Sequence, residues 1–442
     1  MQKRHLALAD LKITAKGKKY VNQVLNSNRL SYGPMTEKFE KEFARLHEKK
    51  FAMVSNSGTS SLQVSLQALK ETYQWNDGDE VLVPAITFIA TSNIVLHINL
   101  KPVFVDVEPD YYCMDPNRIE EKITKKTKAI IPVHLFGQSA DMEKISSIAR
   151  KYKLKILDDS CETMFVKYKN RPVGSYAGIA VYSTYIAHIV TTGVGGIAAT
   201  DDKNLATMIK SLMFHGRDNI YLKIEDDNTD SRLKLNSLIE RRFQFIHMGY
   251  SYRLTEMETA LGLAELERKN FIIKNRFRVG KGITDALIEF SDYFQLPKVR
   301  PETEHIYMLY PIIIRDERID RDEFLLYLEE NGVETRLFMP LLGQPLYKKI
   351  FGDIEDKYPV AKHLVEKGFI IGSHPYLKNQ DFKYLNYLFN KYLDKLNADP
   401  AKVVEWQNTI KGKNTKEIAQ KLANQEKTIS ELKAENIKLK NG

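Results

Sequence analysis

Glu80-Val81-Leu82-Val83-Pro84, Pro102-Val103-Phe104-Val105-Asp106, Ala129-Ile130-Ile131-Pro132-Val133, Leu154-Lys155-Ile156-Leu157-Asp158 and Gly178-Ile179-Ala180-Val181-Tyr182 are five short runs that decide the fold. Each carries several apolar β-formers in succession, as a strand buried on both faces requires. Helical stretches separate them between residues 79 and 202, and that alternation predicts a mostly parallel α/β sheet. Such sheets collect ligands at the carboxyl ends of their strands, which directs attention to Thr87, Asp106, Asp159 and Ser183.

Outward from this region the pattern continues, then changes. Ala52-Met53-Val54 reads as a strand, and Leu254, Met257, Leu261 and Ala264 mark one face of an amphipathic helix over 254–266. Beyond about 275 the chain reads as a smaller α+β unit, with a strand at 307–314, a helix at 320–331 and a return strand at 332–336. The expected division is a large α/β domain over 1–274, a small domain over 275–400 and a helical tail over 401–442. In the tail, Ile418, Leu422, Gln425, Ile429, Leu432, Asn436 and Leu439 alternate steps of four and three. That is a heptad seam suited to a two-stranded parallel coil, with a solitary surface helix as the alternative.

Composition bounds the function. The 442 residues are 43% apolar and 28% charged, a globular balance that excludes a mainly disordered or fibrous chain. Two cysteines, Cys113 and Cys161, exclude a disulfide scaffold and an all-cysteine metal or iron–sulfur site within the chain, and fit a reducing cytoplasm. No apolar run reaches the length of a spanning helix, and no membrane partner is expected. The net charge of +9 comes from 66 basic and 57 acidic residues. Of it, +4 belongs to residues 411–442, which hold eight lysines and four glutamates. The rest is spread widely without a recognisable nucleic-acid module, so nucleic acid is not expected either.

Three stretches carry chemistry. Ser57-Gly58-Thr59-Ser60-Ser61 opens an apparent helix directly after a strand. Small residues there expose backbone N–H groups at the positive helix end, an arrangement that suits a phosphate as well as an ordinary cap. Asp158-Asp159-Ser160-Cys161-Glu162 closes a buried strand. Its carboxylates suit a metal, a heterocyclic nitrogen or the cap of a following helix. Tyr182-Ser183-Thr184-Tyr185-Ile186-Ala187-His188 runs into the glycine-rich Gly193-Val194-Gly195-Gly196, where backbone can approach closely.

Together with Gly33-Pro34, Phe39-Glu40, Pro84-Ala85-Ile86-Thr87-Phe88, Val133-His134-Leu135-Phe136-Gly137, His215-Gly216 and Gly249-Tyr250-Ser251-Tyr252-Arg253, these stretches make residues 5–395 resemble the DegT/StrS-type sugar aminotransferases. That resemblance implies a pyridoxal 5′-phosphate (PLP)-dependent transferase fold of type I, with a seven-stranded-type sheet. It implies that Gly58, Thr59 and Ser183 cradle the cofactor phosphate and that Phe88 stacks on the pyridine ring. Asp159 would pair with the ring nitrogen, and Glu162 would lie near the ring hydroxyl. His134, His215, His247, His305 and His374 read mainly as structural, with His215 the one expected near the site.

The departures from the family pattern are specific. His188 stands where the aminotransferases carry the lysine that bonds covalently to the cofactor. The cofactor, PLP or its amine form pyridoxamine phosphate (PMP), is then expected to bind non-covalently, with His188 as the base. In this the chain resembles the lysine-free branch of the family, the GDP-4-keto-6-deoxymannose 3-dehydratases. Val194 replaces a usual glutamate, and Ser251 a usual asparagine that reaches the neighbouring subunit's phosphate. Phe338–Tyr347 looks more like the perosamine-type 4-aminotransferases. The expected substrates are a nucleotide-linked 4-keto-6-deoxy sugar and glutamate as amino donor, in surface polysaccharide or O-antigen synthesis. The expected reaction is C3 dehydration, with 4-amination or a catalytically silent scaffold as alternatives. A homodimer or larger assembly through the active-site face is implied, and the tail coil could reinforce it.

Overall fold

The computed structural model describes residues 1–218, 231–232, 235–236, 239 and 243–398. The expected tail over 401–442 lies outside the described residues.

Seven strands form the large sheet: β1 (Phe51–Ser55), β2 (Glu80–Pro84), β3 (Lys101–Val105), β4 (Thr127–Ile130), β5 (Lys155–Asp159), β8 (Ile179–Ser183) and β9 (Gly196–Thr200). Two-residue strands β6 (Lys167–Tyr168) and β7 (Arg171–Pro172) make a separate hairpin. The order across the large sheet is β1-β9-β8-β5-β4-β2-β3. The pairs β2–β3, β2–β4, β4–β5 and β5–β8 are parallel. β9 runs antiparallel to both its neighbours, β1 and β8. Six strands thus share one direction and β9 alone is reversed. β2, β8 and β9 are buried along their whole length, which is why their sequences read as continuous apolar runs.

A shared direction puts the carboxyl ends of β1, β2, β5 and β8 on one edge, together with the amino end of the reversed β9. Ser55, Pro84, Asp159, Ser183 and Gly196 therefore meet at that edge. The register fixes this, because Gly196 pairs with both Ser55 and Ser183.

The second sheet is antiparallel, in the order β10 (Phe294–Gln295), β11 (Leu309–Ile314), β13 (Gly368–Gly372), β12 (Thr335–Leu337). It packs against the helices Arg321–Glu330 and Asn379–Ala398 around a second apolar core that includes Phe324, Phe369 and Phe389. Leu6 belongs to that core too, held by a bridge to Val333, so the first residues of the chain pack on the second sheet. The 274/275 division falls inside the continuous helix Lys269–Leu287. This helix gives Ile272 to the first core and Val279, Ile283 and Leu287 to the second. A single rigid rod thereby joins the two sheets. Among the described residues, no helix is long and apolar enough to cross a membrane.

Candidate active site

The helix Gly58–Thr72 begins at the β1 end of the edge. Ser57 caps it by accepting the Ser60 N–H. The first-turn amides of Gly58 and Thr59 have no acceptor within the helix, by position. Gly58 sits so close to its neighbours that a Cβ there would meet Ser183 Cβ and Cys161 Sγ, each at 3.0 Å. The phosphate-type helix start, the Asp159 turn and the end of β8 are thus pressed into one cradle.

Asp159 is buried at the end of β5. Its Oδ2 accepts the Thr91 hydroxyl at 2.8 Å and its Oδ1 accepts the Cys161 N–H at 3.1 Å. Thr91 is in turn within 2.8 Å of the Thr87 hydroxyl. Burial pushes the Asp159 carboxyl above the usual range, against the two bonds, and neighbouring Asp158 adds to the rise. The alternative reading, in which Asp158 or Asp159 caps a following helix, is corrected: a turn follows β5, not a helix. Asp158 instead pairs with the buried His134, Nε2 to Oδ1 at 2.5 Å, which accounts for that histidine as structural.

Glu162 takes the Phe136 N–H at 2.7 Å, and burial raises its carboxyl to about 7. That bond depends on Phe136 holding φ of 57° next to Gly137 at φ 99°, an arrangement in which two successive residues occupy left-handed backbone. Phe88 precedes the helix Ile89–His97, one turn before the Thr91 that bonds Asp159, and leaves 60% of its surface uncovered, which is unusual for a phenylalanine.

His188 lies half-buried in the loop between β8 and β9. Its Nδ1 is enclosed without a hydrogen-bond partner. Burial lowers the imidazole to about 4, and the nearby Arg276 guanidinium adds to the drop. Thr184 and Thr192 hold the two arms of the loop by a 2.7 Å hydroxyl contact and by the Thr192 N–H to Thr184 O bond.

Ser251 stands apart from this cluster. It is exposed and takes an Arg253 N–H at 3.3 Å. The adjacent Tyr252 carbonyl accepts the Asn56 N–H, which ties this segment to the start of the phosphate-type helix. Asp106 caps the helix Pro359–Lys367 through the Val360 and Ala361 amides and takes no part in the site. Sequence reading missed Thr91 and Arg276. The four-residue spacing of the Thr87 and Thr91 hydroxyls at a helix start was the available signal for the first; nothing local marks the second.

The residues present fit pyridoxal phosphate. Asp159 has only neutral donors and no cation, so a protonated ring nitrogen would complete it. Gly58, with no Cβ, lets the free helix-terminal amides lie close beside the Ser183 hydroxyl. Phe88 offers a bare aromatic face. Among the described residues there is no cluster of three His, Cys, Asp or Glu side chains suited to a metal, and both cysteines are free.

Fold and site together define a pyridoxal-phosphate-dependent enzyme of the aminotransferase type. The chain belongs to the DegT/DnrJ/EryC1/StrS aminotransferase family, whose sequence profile matches residues 11–387. It is 31% identical over 383 residues to GDP-perosamine synthase of Escherichia coli O157:H7, covering 86% of this chain and 96% of that protein. An aminotransferase structure from Psychrobacter cryohalolentis superposes with a TM-score of 0.79 at 27% identity, covering 88% of this chain and 99% of the other. The E. coli GDP-4-keto-6-deoxy-D-mannose-3-dehydratase with bound hydrated PLP shares the fold at the same TM-score, 23% identity, and 88% and 100% coverage.

Proposed function

We propose that this enzyme removes the C3 hydroxyl of a nucleotide-linked 4-keto-6-deoxy sugar, with His188 as the base and glutamate as the amino donor. One observation supports this reading above the rest: the β8–β9 loop carries an imidazole, not an amine, at position 188, and that ring interacts with the Ser183 backbone at the end of β8. When bound, pyridoxamine phosphate supplies an amine that condenses with a keto group and a ring that withdraws electrons.

The chain's own residues do the remaining work. Gly58 and Thr59 amides and the Ser183 hydroxyl bind the phosphate, Phe88 covers the ring face, and Asp159 keeps the ring nitrogen protonated. Glu162 sits beside Asp159 with a carboxyl that changes charge near neutrality. An imidazole whose proton affinity is lowered to about 4 is neutral at pH 7, the form in which the ring can accept a proton and pass it on. Without a lysine at this position the cofactor is held non-covalently. The overall balance closes: the oxygen leaving sugar C3 matches the oxidation of glutamate to 2-oxoglutarate and ammonia.

The test is turnover with glutamate against a panel of 4-keto sugar nucleotides, read as product mass and released ammonia. Ammonia with a 3-deoxy product supports dehydration. A stable amino sugar would establish a second reading, 4-amination, which the 31% identity to a GDP-perosamine synthase favours. No turnover with any sugar leaves a silent scaffold.

We further propose a homodimer joined across the active-site face, working in the cytoplasm where nucleotide sugars are made, in surface polysaccharide synthesis. Large apolar side chains stand exposed on the segments that border the site: Phe88, Tyr185, Ile186 and Val194, then Phe243 and Met248. A second copy would cover them. Ser251, exposed on the neighbouring segment, would then face the partner's site.

A further inference from the structure

Arg276 sits midway along the helix that joins the two sheets, and only 3% of it is exposed. Among the described residues it forms no ion pair, and its Nε has no hydrogen-bond partner. Its bonds go only to backbone carbonyls: Nη1 to Tyr307 at 3.0 Å and Met308 at 3.1 Å, and Nη2 to His188 at 3.2 Å. A buried cation without a carboxylate is costly, and three carbonyls compensate it only partly. Burial lowers the guanidinium to about 10 accordingly. A structural clamp on three carbonyls needs hydrogen-bond donors, not a full charge. The charge also bears on the neighbouring imidazole, whose proton affinity is lowered first by burial and then by Arg276.

We propose that Arg276 is a positioning residue for His188: it ties the His188 carbonyl to the backbone leading into the second sheet and places a partly compensated positive charge beside the imidazole that disfavours its protonated form. The surroundings leave the charge as the one electrostatic influence from another side chain. The loop from Thr184 to Gly195 carries no other ionisable group except Tyr185, whose ring meets His188 edge-on at 6.0 Å. From β8 only the Ser183 backbone acts on the ring, favouring its protonated form. From the end of β13, His374 is buried beside Arg276 and is itself lowered, first by burial, with Arg276 and Lys12 adding to it against Asp10 and Asp381. The second sheet thus reaches the base through one guanidinium, which couples its placement to the chemistry.

This inference rests on His188 being the base, but its test does not use turnover. Histidine rings are labelled with 13C in the full-length cofactor-free protein, and the His188 signal is assigned by its loss in His188→Asn. Its titration is compared in wild type, Arg276→Gln and Arg276→Lys. Gln keeps N–H donors and removes the charge; Lys keeps the charge. We expect the His188 midpoint to rise by about one pH unit in Arg276→Gln and to stay near wild type in Arg276→Lys. Arg276→Met makes the same charge change if the Gln chain fails to fold. An unchanged midpoint in the neutral variants, or an equal rise in Arg276→Lys, would overturn the proposal. Full turnover in His188→Asn would instead remove the base reading and leave the Arg276 effect on the midpoint intact.

Discussion

Gly196→Ala isolates the contact on which the phosphate cradle depends. Gly196 is in ordinary extended backbone at the start of β9, so alanine meets no torsional obstacle there. The obstacle is distance: a Cβ would stand 2.2 Å from Ser57 O, 2.4 Å from Ser57 C and 2.5 Å from Gly58 N. Ordinary contact begins near 3.4 Å, so strand and helix start must separate by about 1 Å. Neither side yields easily. Gly196 is paired with Ser55 and Ser183, and the Ser57 carbonyl accepts both the Ser55 hydroxyl at 2.8 Å and the Ser61 N–H at 3.1 Å. Overpacking of this kind costs about 1–3 kcal/mol. Because the strain falls on the amides that meet the phosphate, PLP affinity should drop roughly ten- to a hundredfold, about 1.4–2.8 kcal/mol. The assay is equilibrium titration of the cofactor-free protein with PLP, alongside thermal unfolding. Gly178→Ala serves as the control, since the nearest atom to its Cβ is Ile156 O at 4.0 Å. Wild-type affinity in Gly196→Ala, within twofold, would refute the idea that this contact sets the cradle.

Three further outcomes are expected. His188→Asn should retain PLP binding and lose turnover; unchanged turnover eliminates His188 as the base. Glu162 has a folded carboxyl raised to about 7 from an ordinary 4.5, so its contribution to stability is greatest below pH 4.5 and declines as pH rises through 7. Glu162→Gln should therefore flatten that decline in the cofactor-free protein, by up to about 3 kcal/mol at pH 8, measured by urea unfolding at a series of pH values; parallel pH curves would contradict the assignment. The chain shortened to residues 1–410 should still sediment as a dimer, because the exposed apolar face lies in the body of the molecule, whereas a monomer would place the association in the tail.

The Arg276 titration complements these, since it alone probes communication between the two sheets. Gly196 tests how the cradle is shaped, Glu162 its electrostatics and His188 its chemistry. Failure of one leaves the others informative, because each variant changes a different contact.

Much of this was legible in the linear chain. The runs at Val81–Val83 and Ile179–Val181 announced strands buried on both faces, because residues of a central parallel strand have no solvent side to mark with polar groups. Their carboxyl ends named Thr87, Asp159 and Ser183 in advance, and the helix start at Gly58 was visible as small hydroxylated residues following a strand. Asp106 shares the same kind of position and proved to be a helix cap, because which strand ends converge depends on sheet order, and order is not a local property. For the same reason the reversal of β9, which brings Gly196 against Ser57, appears nowhere in the strand pattern itself. The Asp158–His134 pair, the left-handed turn at Phe136 that feeds Glu162, and Arg276 beneath His188 join residues dozens of positions apart. Periodicity records which face of an element is buried; it holds no information about the neighbour found there. Which side chain stands at position 188 was the sequence's to specify. The proton affinity of that imidazole was settled by burial and by a cation arriving from residue 276, and both exist only once the two sheets are joined.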